Sequence, residues 1–305
     1  VLTAVGLGLE GEAATPAHYR TIIERANAQG EAADRLDLDA GLDVLTQADE
    51  GLALHAAAPA GHRLFRIDGW AQHNLGLTAA QELGYVLADV AELFRAAESA
   101  GIAPADIAGR VSVRLALPAD MFAGIAACRA MRRMWDGILL ACGIDPVPVR
   151  VEGFASLRMM SVLDHEVNML RTTTALLGGA IGGADAMAGF GHDLLTGETP
   201  GARRTARLAQ VLMMAESEIA RSLDPAAGAP FIESRTDDLA DAGWSAFQEI
   251  ECAGGLTAAI KAGIIEAQAA AAATAREARM RAGEELLGVT LQPTGGMPPE
   301  ILAAF

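Results

Sequence analysis

Residues 63–117 open with RLFRIDG (Arg63–Gly69) and close with RVSVRLAL (Arg110–Leu117). Both runs alternate apolar and polar side chains with the period of two that marks a strand. Between them, Thr78-Ala-Ala-Gln81 has the form of a capping box: the Thr hydroxyl accepts from the Gln81 N–H while the Gln side chain reaches back. Leu83, Val86, Leu87, Val90, Leu93 and Phe94 then share one helical face, and Gly101 supplies the usual stop. Strand, helix and strand at this spacing make one crossover unit of a parallel sheet.

The alternation continues outward from this unit. Upstream, Leu2–Leu9 is a short apolar strand-like run. Downstream, Pro146–Phe154 (PVPVRVEGF) and Leu286–Leu291 (LLGVTL) read as strands, and Gly182–Gly191 is expected to hold another. Asp120 is expected to cap a helix whose face carries Phe122, Ile125, Cys128, Met131, Trp135 and Leu139. Asp237 and Asp238 are placed at the positive start of a further helix, with Leu239, Gly243, Phe247 and Ile250 on its face and Gly254-Gly255 at its end. The Ala-rich stretch from Leu256 to Ala282 reads as one long helix stopped by Gly283. An open doubly wound sheet and a (β/α) barrel both fit this order. No GxGxxG follows the first strand, which argues against a dinucleotide-binding version.

Composition narrows the function classes. The chain has 305 residues, 51% of them hydrophobic, enough for a substantial core. Its formal net charge of -16 repels phosphate backbones and anionic lipid, so neither nucleic acid nor a membrane surface is an expected partner. No run of eighteen or more apolar residues is available to span a bilayer, and no signal peptide is visible. Cys128, Cys142 and Cys252 lie far apart without metal spacing, and are read as reduced core thiols of a cytoplasmic protein.

Five stretches, in order, carry a family resemblance. Val167–Asp185 (VNMLRTTTALLGGAIGGAD) is similar to an N-x-x-R-T-T…GG segment. Leu223–Glu251 is similar to a D-P-x-x-G-S-x-Y-x-E segment that runs into A-x-x-A-W. Cys128–Trp135 (CRAMRRMW) resembles an R-A-A-R-x-L-W helix, and Arg203–Gln210 (RRTARLAQ) resembles R-R-I-A-R-N-T-Q. Thr78–Tyr85 (TAAQELGY) matches the start of the helix after a substrate-contacting barrel strand. All belong to the methylmalonyl-CoA mutase family, and together they cover most of the chain from about Arg63 onward.

The resemblance implies a TIM-type (β/α)8 barrel over residues 1–305, incomplete at the N-terminus of this chain, with a C-terminal helical extension at about 236–285. Catalytic members enclose an acyl-CoA along the barrel axis. A separate domain holds adenosylcobalamin through the histidine of a D-x-H-x-x-G motif. Neither that motif nor a cobalamin-binding domain occurs in these residues; Asp164-His165 and His192-Asp193 have the wrong order and spacing. Active members read G-Y-H-M-Q-E-A-G where this chain has Gly69–Gly76. Aligned without a gap, Trp70 takes the Tyr position, Ala71 the catalytic His position, Gln72 follows, and His73 takes the Gln position. A methyl group neither donates a hydrogen bond nor moves a proton. In the next strand, Arg114 stands where active members have aromatics.

The resemblance thus implies a non-catalytic small subunit with a degenerate pocket of Trp70, Ala71, Gln72, His73 and Arg114, and no catalytic residue or metal ligand. Its expected partner is a catalytic large subunit, in a heterodimer that interconverts methylmalonyl-CoA and succinyl-CoA. Adenosylcobalamin belongs to that partner. The alternative is an acyl-CoA-binding substrate chain whose cobalamin domain lies on another chain. His73 is expected as a hydrogen-bonded core histidine, and Arg114 as a buried structural ion pair with Asp68. Arg158 and Arg171 are expected to be structural, Met159-Met160 core filler, and His192-Asp193 loop chemistry rather than an acid–base pair.

Overall fold

The computed structural model describes residues 7–28 and 33–291. Six strands form one all-parallel sheet in chain order: β1 (Leu7–Gly8), β2 (Leu38–Leu42), β3 (Arg63–Asp68), β4 (Val111–Leu117), β5 (Arg150–Ala155) and β6 (Ala186–Ala188). Helices α1 (Pro16–Ala28) and α2 (Val44–His55) follow β1 and β2. Between β3 and β4 lie α3 (Gly69–Leu75), α4 (Ala79–Ser99) and α5 (Pro104–Ala108). Helix α6 (Met121–Ala141) joins β4 to β5, and α7 (Val167–Ile181) joins β5 to β6. After β6 come α8 (Leu194–Gly197), α9 (Pro200–Ala215), α10 (Pro230–Cys252), α11 (Leu256–Lys261) and α12 (Ile264–Arg281).

A doubly wound sheet reverses its strand order at a switch point. This order never reverses, so right-handed crossovers lay the connecting helices on one face and leave the other face concave. The sheet is therefore an arc of a barrel; among the described residues no pairing joins β6 to β1.

Strand period two then sorts the residues. Phe65, Ile67, Val111, Val113, Leu115, Leu117 and Val151 form one core with Val86, Leu87, Val90 and Leu93 of α4 and Met131, Trp135 and Ile138 of α6. A further layer covers the helices, because α10 lies against α4 and α6. Its approach is close: a Cβ on Gly84 would stand 2.7 Å from the Ala246 Cβ, and one on Gly243 would stand 2.9 Å from the Met134 sulfur.

Several local readings hold. The capping box at Thr78 and Gln81 forms, and Asp120 caps α6 by accepting from the Ala123 N–H. Gly101 sits at φ 75°, just past α4. Other readings need correction. The strand expected from Pro146 begins only at Arg150, because Pro146 and Pro148 have no N–H to give a ladder. Of Leu2–Leu9, only Leu7–Gly8 is strand, and residues 2–6 lie outside the described residues. Asp237 and Asp238 do not start a helix; α10 starts about two turns earlier at Pro230, the residue type favoured at a first helical position. The single helix expected over 256–282 is broken at Gly263, which takes φ 71°. The helical extension thus runs from Pro230 to Arg281 in three helices. Leu286–Leu291 is a turn, not a strand: the Leu286 carbonyl accepts from the N–H groups of Val289, Thr290 and Leu291 around Gly288 at φ 74°. Of the cysteines only Cys128 is in the core; Cys142 and Cys252 are exposed. Among the described residues no helix is long and apolar enough to cross a membrane.

Candidate functional site

The register sets Asp68, Arg114 and Glu152 side by side on β3, β4 and β5, all on the concave face. Arg66, one pleat back on β3, joins them. These side chains make a buried charge network rather than an open bore. Arg114 Nη2 donates to Glu10 Oε1 at 2.5 Å and to Glu152 at 3.3 Å, while Nη1 reaches Glu10 Oε2 at 3.0 Å and Asp68 at 3.5 Å. Arg66 donates to the Leu9 carbonyl at 2.7 Å and to Glu10 at 3.2 Å. It also stands 3.1 Å from Asp39 and 3.4 Å from Glu152. Ser112 Oγ donates to Asp39 at 2.6 Å. Below this layer, Asp37 holds both Arg63 and Arg150.

Burial works against the charge on Arg114. The hydrogen bond to Glu10 and the carboxylates of Asp68, Glu10 and Glu152 outweigh it and hold its pKa above the ordinary guanidinium value. What space remains is a cavity of about 440 Å³, lined by Glu10, Gly41, Asp43, Arg66, Asp68 and Arg114 among others. Carboxylates outnumber guanidinium groups around it, so it offers an anion no net attraction.

Aromatic rings gather at the C-terminal ends of β3, β5 and β6, where a barrel of this type carries chemistry. Arg114 lies over the Phe154 ring, 4.0 Å from its centroid. Trp70 meets Phe154 edge-on at 6.0 Å and Phe190 at 5.9 Å, and its Nε1–H donates to the Ala155 carbonyl at 2.9 Å. Trp70 and Arg114 therefore do come together, through Phe154.

The other expected pocket residues point elsewhere. Ala71 is half-buried in the first turn of α3, where its N–H donates to the Asp68 side chain that caps the helix. Gln72 reaches Tyr85 on α4 at 3.4 Å. His73 is a hydrogen-bonded core histidine. Its Nδ1 donates to Glu82 at 2.9 Å, and its Nε2 accepts from Ser156 at 3.0 Å, a tautomer assigned from these partners. The second Glu82 oxygen accepts from the Ala116 N–H at 2.7 Å. This chain of bonds locks α3, α4, β4 and the end of β5 together. His192 and Asp193 form no acid–base pair: His192 stacks on His165, and Asp193 accepts from Thr199 at the start of α9. Asp68 does pair with Arg114, although Glu10 and Glu152 are the closer partners.

Arg66, Glu10, Asp39, Glu152 and Glu82 are the functional-face residues that motif matching passes over. For Arg66 and Glu152 the signal lies in the strands themselves, where Arg66-x-Asp68, Ser112-x-Arg114 and Arg150-x-Glu152 set polar groups on one parity; Glu10 in a loop, Asp39 on β2 and Glu82 on α4 lie outside these runs. Among the described residues no group of His, Cys, Asp and Glu side chains is arranged to hold a metal ion.

Comparison with known proteins places the chain in a family. A family model described as methylmalonyl-CoA mutase matches residues 55–291. The chain is 35% identical to a methylmalonyl-CoA mutase small subunit of Streptomyces virginiae, over 96% of this chain and 50% of that protein. It is 38% identical to a probable methylmalonyl-CoA mutase small subunit of Mycobacterium bovis, over 74% of this chain and 40% of that one. It is 32% identical to methylmalonyl-CoA mutase of Escherichia coli, over 65% of this chain and 28% of that protein. The chain thus spans half or less of the length of these relatives.

Proposed function

Because the chain belongs to the methylmalonyl-CoA mutase family, we propose that it is the barrel portion of a non-catalytic small subunit supporting a catalytic large subunit in the cytoplasm. The six-stranded arc is then the larger part of a (β/α)8 barrel, a reading its unreversed strand order supports. The complex interconverts methylmalonyl-CoA and succinyl-CoA, and the large subunit carries the adenosylcobalamin.

The observation that carries this reading is the filled concave face. An acyl-CoA laid along the axis would need the volume held by the guanidinium groups of Arg66 and Arg114, and it would bring its negative charges beside Glu10, Asp39, Asp68 and Glu152. The half-buried Trp70–Phe154–Phe190 cluster occupies strand ends at which a cofactor would meet a substrate. These residues do not fit adenosylcobalamin at the strand ends. Ala71, in the position of the family's histidine, adds the loss of a polar contact.

The test has two arms. Titration calorimetry with methylmalonyl-CoA, succinyl-CoA and other acyl-CoA esters is expected to show no binding. Low-micromolar binding competed by coenzyme A would overturn the reading and favour a substrate-binding chain. Size-exclusion chromatography with a large mutase chain containing D-x-H-x-x-G is expected to give a heterodimer, and elution of the two as separate species would count against the supporting role.

A further inference from the structure

Under the C-terminal helix lies a second cavity that shares no lining residue with the first. It measures about 430 Å³, within the span of small-molecule pockets, roughly 300–1,000 Å³. Its charged lining is Arg158, Arg171, Arg276 and Arg279 with Glu284 alone against them. Such a concentration of guanidinium groups runs counter to a chain of net charge -16. Its apolar wall is made by Met159, Met160, Leu163, Leu195, Met280 and Val289. Met159 and Met160 are both half-buried cavity wall, and Met159 also packs against the main core as expected.

The four guanidinium groups are unequally satisfied. Arg279 stands 3.4 Å from Glu284. Arg171 donates to Asn168 and to the Leu287 carbonyl, both at 2.6 Å; burial lowers its pKa, with Asp164 opposing. Arg158 rests its Nη2 on the His73 ring, 2.8 Å from Nε2. Burial, then the neighbouring Arg276, pushes its pKa down to about 10, with Glu82 opposing, so it still carries its charge at neutral pH. Among the described residues neither Arg158 nor Arg276 has a carboxylate within ion-pair reach, and Arg276 Nη1 is buried with no hydrogen-bond partner. A buried donor left unpaired beside a like charge is costly and calls for an acceptor.

We propose that this cavity binds a small organic anion, its carboxylate or phosphate head held by Arg276 and Arg158 and a short apolar tail laid against the methionines. The planar guanidinium fork suits either head group, and the polarizable thioether wall suits a flexible tail. This site is independent of the bore and of the non-catalytic reading.

Titration of the chain with hexanoate, hexyl phosphate and inorganic phosphate at low ionic strength tests it. Hexanoate or hexyl phosphate is expected to bind at least about tenfold more tightly than inorganic phosphate, and Arg276→Ala to weaken that binding by about tenfold or more. Preference for hexanoate identifies a carboxylate ligand, and preference for hexyl phosphate a phosphate ester. Equal affinity for all three, no binding below about 10 mM, or binding untouched by Arg276→Ala would overturn the proposal. Should that variant fail to fold, Glu284→Gln serves: loss of the lining carboxylate is expected to tighten binding by about threefold or more, and unchanged affinity would overturn the site.

Discussion

Replacing Arg114 by Met removes the central cation of the concave face while keeping much of its volume. The structure says which contacts then matter. The Arg114 side chain is 5% exposed and Glu152 is 8% exposed, so this pair is cut off from water. Glu10 is 54% exposed, and water takes over most of what it loses. An exposed partner is worth about 0–1 kcal/mol, whereas stranding one member of a buried pair costs about 3–5 kcal/mol. The contact with Phe154 adds up to about 2 kcal/mol when desolvated. Arg66 and Arg150 remain 3.4 Å and 3.5 Å from Glu152 and partly compensate. The expected loss is therefore about 3–5 kcal/mol, not the sum of every contact. Urea unfolding followed by circular dichroism measures it as a fall in midpoint at constant slope. The double variant Arg114→Met/Glu152→Gln removes the stranded charge, and should be less destabilised than the two single variants added together by about 1–3 kcal/mol. A single-variant loss below about 1 kcal/mol, or strict additivity in the cycle, would refute the claim that the network is a coupled, buried unit.

Two further outcomes are expected. Asp89 is buried on α4, its Oδ1 lacks a hydrogen-bond partner, and burial, Asp43 and Glu92 all raise its pKa well above the ordinary carboxylate value. The folded chain then holds this proton more tightly than the unfolded one, so stability falls as pH rises above about 4. Asp89→Asn is expected to raise the thermal midpoint near neutral pH, by the equivalent of about 1–3 kcal/mol, with the gain vanishing near pH 4; a gain that grows on acidification would contradict this. Gly84→Ala places a methyl 2.7 Å from the Ala246 Cβ and 2.8 Å from the Phe247 nitrogen, so it should cost about 1–3 kcal/mol by lifting α10 off α4, although alanine favours helix. Chemical unfolding of the variant decides it, and a stabilised protein would show that the two helices separate freely.

The helix–strand order was readable because its signals are local. Thr78-Ala-Ala-Gln81, Asp120 and Gly101 act within one turn, and each does in the fold what its chemistry dictates. Where two local signals compete, the stronger decides: Pro230 starts α10 in place of Asp237, and Gly263 divides an Ala-rich run that helix propensity alone would leave whole. At the site, the pairing of Asp68 with Arg114 could be read from two neighbouring strands in register. Glu10 could not, because it enters from a loop 104 residues away in the chain, and no short-range pattern encodes that distance. Gln72 and His73 adjoin Trp70 in sequence, yet helix α3 turns them toward Tyr85 and Glu82, away from the bore. A strand would have kept alternate residues on one face; the strand gives way to a helix at Gly69, where reading eight residues as one ungapped motif hides the change of period.

The charge network on the concave face also bears on ancestry. If the bore once held a substrate, reopening it would take more than restoring a histidine at Ala71. Arg114 and Arg66 would have to leave as well, and each departure on its own strands Glu152 or Asp39 in the interior. Every single step back thus runs through a less stable protein, while each neighbouring state that keeps the ions matched keeps the passage shut. The matched ions act as a ratchet: once in place, they set a stability cost against every single step that would reopen the bore.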